Sequence, residues 1–97
     1  MSASAEATVL ITHAVGLHAR PSVKFTKLAK TFGAEVEVAV AANGPWFDAK
    51  SIVKVMGLKL RTGTVLELEA KGEAATRAVA ALQSLVERNF DDAAVGS

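Results

Sequence analysis

The sequence predicts a two-layer α+β fold, an open-faced β-sandwich in which a sheet lies under helices on one face and meets water on the other. Two patterns predict it. Short segments alternate apolar and polar residues. The clearest is 35–41, with Val36, Val38 and Val40 on one side and Glu35 and Glu37 on the other, a strand with one wet face. Other segments place apolar residues at helical spacing, as in Phe25, Leu28, Ala29 and Phe32. Four strands and three helices in the order β-α-β-β-α-β-α call for one sheet covered by helices on a single face.

The elements follow from local chemistry. Residues 1–7 are small and polar and are expected to be disordered. The β-branched run at 8–13 is the first strand, and 14–20 a loop in which Gly16 frees the backbone. Pro21 suits the start of a helix, because its missing N–H is a donor that a helix start leaves unpaired anyway. That helix runs over 21–32 and stops at Gly33. Asn43-Gly44 signals a hairpin, and the short return strand at 46–49 follows Pro45, which suits a sheet edge. Trp46 is expected to pack on that edge strand.

Ser51 is a good N-cap for a brief helix at 52–58. Thr62-Gly63 turns the chain into a strand at 64–70, in which Leu66 and Leu68 alternate with Val65, Glu67 and Glu69. After Gly72, residues 73–89 repeat Ala75, Ala78, Val79, Leu82 and Val86 at helical spacing. The folded domain is therefore expected over 8–89, with 90–97 a flexible tail.

The 97 residues make one domain, and 51% hydrophobic composition fits a globular core. With no cysteine, disulfides and thiolate metal sites are excluded. Two histidines without a clustered carboxylate or thiol supply too few ligands for a metal; His13 is assigned no role and no cofactor is expected. A formal net charge of +1 and only five aromatic residues argue against a nucleic-acid partner. No apolar run could cross a membrane and the first residues do not read as a secretory signal, so a cytoplasmic monomer is expected. Between Glu6 and Glu35 there is no acid, while Arg20, Lys24, Lys27 and Lys30 fall there. They form a solvated helix face or a basic rim for an acidic partner.

The chemistry concentrates at Gly16-Leu17-His18-Ala19-Arg20-Pro21-Ser22. An imidazole stands just before a helix whose preceding residues, Ala19 and Arg20, offer no capping side chain. The free N–H groups and positive dipole end favour an anion. A helix start also disfavours imidazolium, which keeps the ring neutral and nucleophilic near pH 7. The Arg20 guanidinium matches a migrating phosphoryl group. Ser22 adds a hydroxyl near the helix start or caps locally.

This motif resembles the active-site signature of the histidine-containing phosphocarrier (HPr) family of the bacterial phosphotransferase system. The second stretch, Ala49-Lys50-Ser51-Ile52-Val53-Lys54-Val55-Met56, resembles that family's regulatory-serine segment. The similarity spans about residues 8–89. It implies an antiparallel sheet in the order 1-4-2-3. It implies a phosphoryl group carried on Nδ1 of His18, accepted from phospho-enzyme I, which draws on phosphoenolpyruvate, and passed to EIIA-type domains. That transfer serves sugar uptake or a nitrogen-type regulatory branch. Ala19, Arg20 and Ser22 would bind the phosphate. Ser51 would be a regulatory phosphorylation site for a serine kinase/phosphorylase, and Ile52, Val55, Met56, Lys24 and Lys27 a docking surface. Such a domain turns over nothing alone, so it forms a phosphohistidine intermediate without being a stand-alone catalyst. The competing class is a regulatory module that signals by docking to enzymes or transcription factors. Lys59 departs from the family, many of whose members have glycine after the short helix, and Gly57 falls inside that segment.

Overall fold

In a computed structural model, residues 4–12, 19–58 and 61–91 are described. The strands are β1 (Ser4–Leu10), β2 (Glu35–Ala39), β3 (Phe47–Asp48) and β4 (Val65–Lys71). The helices are α1 (Ala19–Lys30), α2 (Ile52–Gly57) and α3 (Ala75–Glu87), followed by a 3-10 turn at Asn89–Asp91. The four strands form one antiparallel sheet in the order β1-β4-β2-β3, the architecture expected from the sequence.

The core lies between the sheet and the helices. In β4, Leu66, Leu68 and Ala70 are buried while Val65, Glu67, Glu69 and Lys71 face outward. Val36 and Val38 of β2 and Val9 of β1 join them, met by Phe25 and Ala29 of α1 and by Ala78, Leu82 and Val86 of α3. No helix among the described residues is long and apolar enough to cross a membrane.

Several boundaries differ from expectation for physical reasons. Residues 4–7, expected to be disordered, belong to β1: half-buried Ala5 and Ala7 alternate with exposed Ser4, Glu6 and Thr8, and Ala5 pairs with Ala70 and Ala7 with Leu68. Helix α1 starts two residues before Pro21. A proline within the first turn breaks no intrahelical hydrogen bond, because the first four N–H groups have no partner there. Its last turn ends at Lys30; Lys27 and Lys30 lie where cations complement the dipole.

The hairpin between β2 and β3 is longer than its Asn43-Gly44 signal implies. The Gly44 N–H donates to the Ala41 carbonyl at 2.9 Å, closing the turn within a connection that spans 40–46. Gly44 has φ +85°, and a Cβ there would stand 2.9 Å from the Trp46 ring, so glycine is required on both counts. The turn after α3 reaches left-handed backbone without glycine, at Asn89 (φ 54°) and Phe90 (φ 61°). Phe90, placed in the tail by the sequence reading, is fully buried instead. Its burial, with the engagement of its carbonyl described below, offsets a conformational cost on the order of 1–3 kcal/mol per residue.

The open face of the sheet has an unusual register. Glu6 pairs with Glu69, Glu69 with Glu37, and Glu37 with Asp48, so one carboxylate from every strand lies in a single cross-strand row. Directly opposed like charges destabilise a sheet. Replacing Glu37, which has an acid on both sides, by Lys is expected to raise stability by about 0.2–1 kcal/mol. Urea denaturation at low salt checks this, and the gain should shrink at high salt.

Candidate functional site

Helix α1 is the element that positions the motif. Its inward residues are Ser22, Phe25, Thr26 and Ala29, all buried. They recur at three- and four-residue spacing, so the helix lies flat on the core. The Thr26 hydroxyl donates to the Ser22 carbonyl at 3.0 Å and is satisfied within the helix. The first turn contains no acidic residue. The amides of Ala19, Arg20 and Ser22 therefore present the positive end of the dipole with no side-chain carboxylate from that turn opposing it. Arg20 is exposed in the same turn.

His18, the residue immediately before α1, and Gly16 and Leu17 lie outside the described residues, as do His13 and Lys59. The two sides of that stretch are held by the end of α3. The Thr12 hydroxyl donates to Asn89 Oδ1 at 2.8 Å. The Lys24 ammonium donates to the Phe90 carbonyl at 2.8 Å. One short turn thus ties the end of the first strand to the first helix. Asn89, just past the end of α3 where asparagine can take the place of glycine, is the one sequence signal of its left-handed backbone; Phe90 carries none.

Two expectations about site residues are corrected. Ser22, expected to add a hydroxyl near the helix start or to cap locally, is fully buried, and its Oγ has no hydrogen-bond partner among the described residues. It shares the inward face with Phe25 and Thr26, one turn on. Val55, grouped with the docking residues, is also fully buried and belongs to the core. The exposed apolar residues of α2 are Val53, 75% exposed, and Met56, 41% exposed, with Ile52 half-buried beside them. A helix of six residues is too short for its periodicity to decide between positions 53 and 55. Helix α1 packs against α2 and contributes exposed Val23 and Lys27, with Lys54 exposed on α2. Lys24 is half-buried and occupied by its bond to the Phe90 carbonyl.

Ser51 is the N-cap of α2, as the sequence predicts. Its backbone is extended (φ −99°, ψ 111°), and its Oγ accepts from the Lys54 N–H at 3.3 Å. Among the described residues no group of three or more His, Cys, Asp or Glu could hold a metal ion.

Comparison with known proteins places this arrangement. The family model described as PTS HPr component phosphorylation site matches residues 5–88. The phosphocarrier protein HPr of Vibrio cholerae is 41% identical over 83 residues, covering 86% of this chain and 95% of that protein. The HPr of Cupriavidus necator is 39% identical over 82 residues, covering 84% and 90%. Among solved structures, HPr-C-His from Thermoanaerobacter tengcongensis superposes with a TM-score of 0.83 at 35% identity, covering 91% of this chain and 97% of that one. HPr from Bacillus anthracis gives 0.76 at 30% identity, covering 84% and 95%. With a family model matching most of its length, relatives about 40% identical over most of both chains and a shared fold, the chain belongs to the HPr family of phosphocarrier proteins.

Proposed function

We propose that the chain accepts a phosphoryl group on Nδ1 of His18 from the phosphohistidine of enzyme I and passes it to a histidine of an EIIA-type domain. The observation that carries this reading is that His18 immediately precedes α1 in the chain, and that the first turn of this helix holds Arg20 and no acid. In the transfer, the N–P bond of the donor histidine breaks as the N–P bond to His18 forms. Charge spreads over the three phosphoryl oxygens. The amides of Ala19 and Arg20 and the Arg20 guanidinium meet that charge. A helix terminus contributes about 0.3–1 kcal/mol at an exposed site, and more when partly buried. Positioning and electrostatics supply the rate, with the partner completing the site.

Docking in this reading uses α1 and α2: Val53, Met56 and Ile52 as an apolar patch, with Lys27 at its rim. Ser51 stands beside that patch as a second, regulatory phosphorylation site. A phosphate at its N-cap position is compatible with α2 and sets negative charge next to Ile52. With these reaction partners the protein acts in the cytoplasm, as a monomer.

Incubation with phosphoenolpyruvate and a cognate enzyme I is expected to add one acid-labile phosphate, seen by mass spectrometry and absent in His18→Ala. An unmodified wild-type chain overturns the carrier role and leaves docking alone. Arg20→Ala is expected to slow transfer by about ten- to a hundredfold, the range of about 1.4–3 kcal/mol for a lost charged hydrogen bond, with an unchanged melting temperature. A sharp fall in melting temperature would instead make Arg20 structural. With a serine kinase of the family, label is expected on the wild type and absent from Ser51→Ala. Label that persists in the variant removes Ser51 from the reading.

A further inference from the structure

Helix α1 carries Arg20, Lys24, Lys27 and Lys30; the open face of the sheet is built differently. The open face of the sheet holds Glu6, Glu35, Glu37, Asp48, Glu67 and Glu69 against Lys71. Lys71 pairs across the strands with Glu35 and lies 3.9 Å from Glu69. Two grooves lie on this face. One, of about 360 Å³, runs between Glu35, Glu37, Asp48 and Glu69, with Lys50 and Lys71 at its edge. The other, of about 340 Å³, is bounded by Trp46, Ala42, Thr8, Glu6 and Glu67. Trp46, expected to pack on the edge strand, thus lines one groove together with residues of β1 and β4. Beyond it, Leu10 and Val65 are directly paired and about half exposed, at 48% and 46%.

The face therefore has an order. The carboxylate row spans about 14 Å across four strands, and the Leu10–Val65 pair lies about 13 Å further along them. The aromatic groove sits between. Apolar surface beside unbalanced charge is the composition of an interface with an oppositely charged partner. A row of like charges in register, kept against its cost to the sheet, is relieved when cations cover it.

We propose that the open sheet face is a second docking surface, for a segment of a partner protein that carries both basic and apolar side chains. A lysine or arginine of that segment seats against Trp46 between Glu6 and Glu67, where the ring face and two carboxylates attract it together. Further cations meet the Glu69–Glu37–Asp48 row, and the apolar side chains cover Leu10 and Val65. This surface is separate from Arg20, Val53 and Met56. A basic partner here and an acidic partner at the helices are selected by opposite charge and bind without competing.

Trp46 is the chain's only tryptophan, so it reports occupancy directly. The unphosphorylated protein is titrated with a twelve-residue peptide of alternating lysine and leucine, and with a lysine–glycine peptide of equal charge. The lysine–leucine peptide is expected to shift Trp46 emission saturably, with affinity at least tenfold above the glycine peptide and falling as salt rises. Glu37→Lys, expected to be at least as stable as the wild type, should weaken binding about tenfold, and Glu67→Gln should do so while leaving the fold intact. Equal affinity for the two peptides would reduce the face to bulk charge and overturn the proposal. Unmoved Trp46 emission, or undiminished binding by both variants, would do the same. Self-association of the chain at these concentrations, seen by sedimentation and not displaced by peptide, would assign the face to a second copy instead.

Discussion

Phe25 and Ala29, both fully buried, seat α1 against the core, and this contact decides where the amino end of the helix points. A phosphoryl site made from helix amides has no freedom to adjust direction: the donors lie along the axis, so the axis must be fixed by packing. The motif therefore needs a sheet beneath it. Val36, Val38, Leu66 and Leu68 provide a smooth inner surface on which the helix rests. Lys24 adds a second restraint by reaching the end of α3. In the proposed carrier role, Ala19 and Arg20 act through a helix end whose direction this packing sets.

Much of this architecture is legible in the amino-acid sequence. The alternation in β2 and β4 and the three- and four-residue spacing in α3 are long enough to admit one reading. The motif at 16–22 stands out in the sequence because histidine, arginine and proline cluster at a helix start. What escapes does so where side chains carry little signal. Ala5 and Ala7 are weak strand formers and read as a loose terminus, yet their small size lets β1 lie flat beside Ala70 and Leu68. Ser22 reads as a phosphate-binding or capping hydroxyl because its polarity outweighs its spacing to Phe25 and Thr26. Val53 and Val55 are chemically the same, and only the packing of α2 on α1 separates an exposed residue from a core one.

The formal net charge of +1 hides an uneven distribution: α1 carries four bases and no acid, while the strands carry six acids. The connection between sheet order and charge is direct. The order β1-β4-β2-β3 places β4 between two other acidic strands, so each outward Glu of its middle meets an acidic neighbour or a small residue. A different strand order with the same sequence would scatter those carboxylates. The topology that supports α1 on one face thus concentrates negative potential on the other, and the resulting dipole turns an approaching charged protein before contact.

The left-handed pair Asn89–Phe90 sets a limit on how the chain can be cut or rearranged. Its buried ring and the carbonyl that receives Lys24 make the final turn a strut, not an appendage. Trimming back to Glu87, or opening new termini at this point by circular permutation, would leave every strand intact and still free Thr12 and Lys24 from their common anchor. One inserted residue between Arg88 and Phe90 would pull that strut out of register.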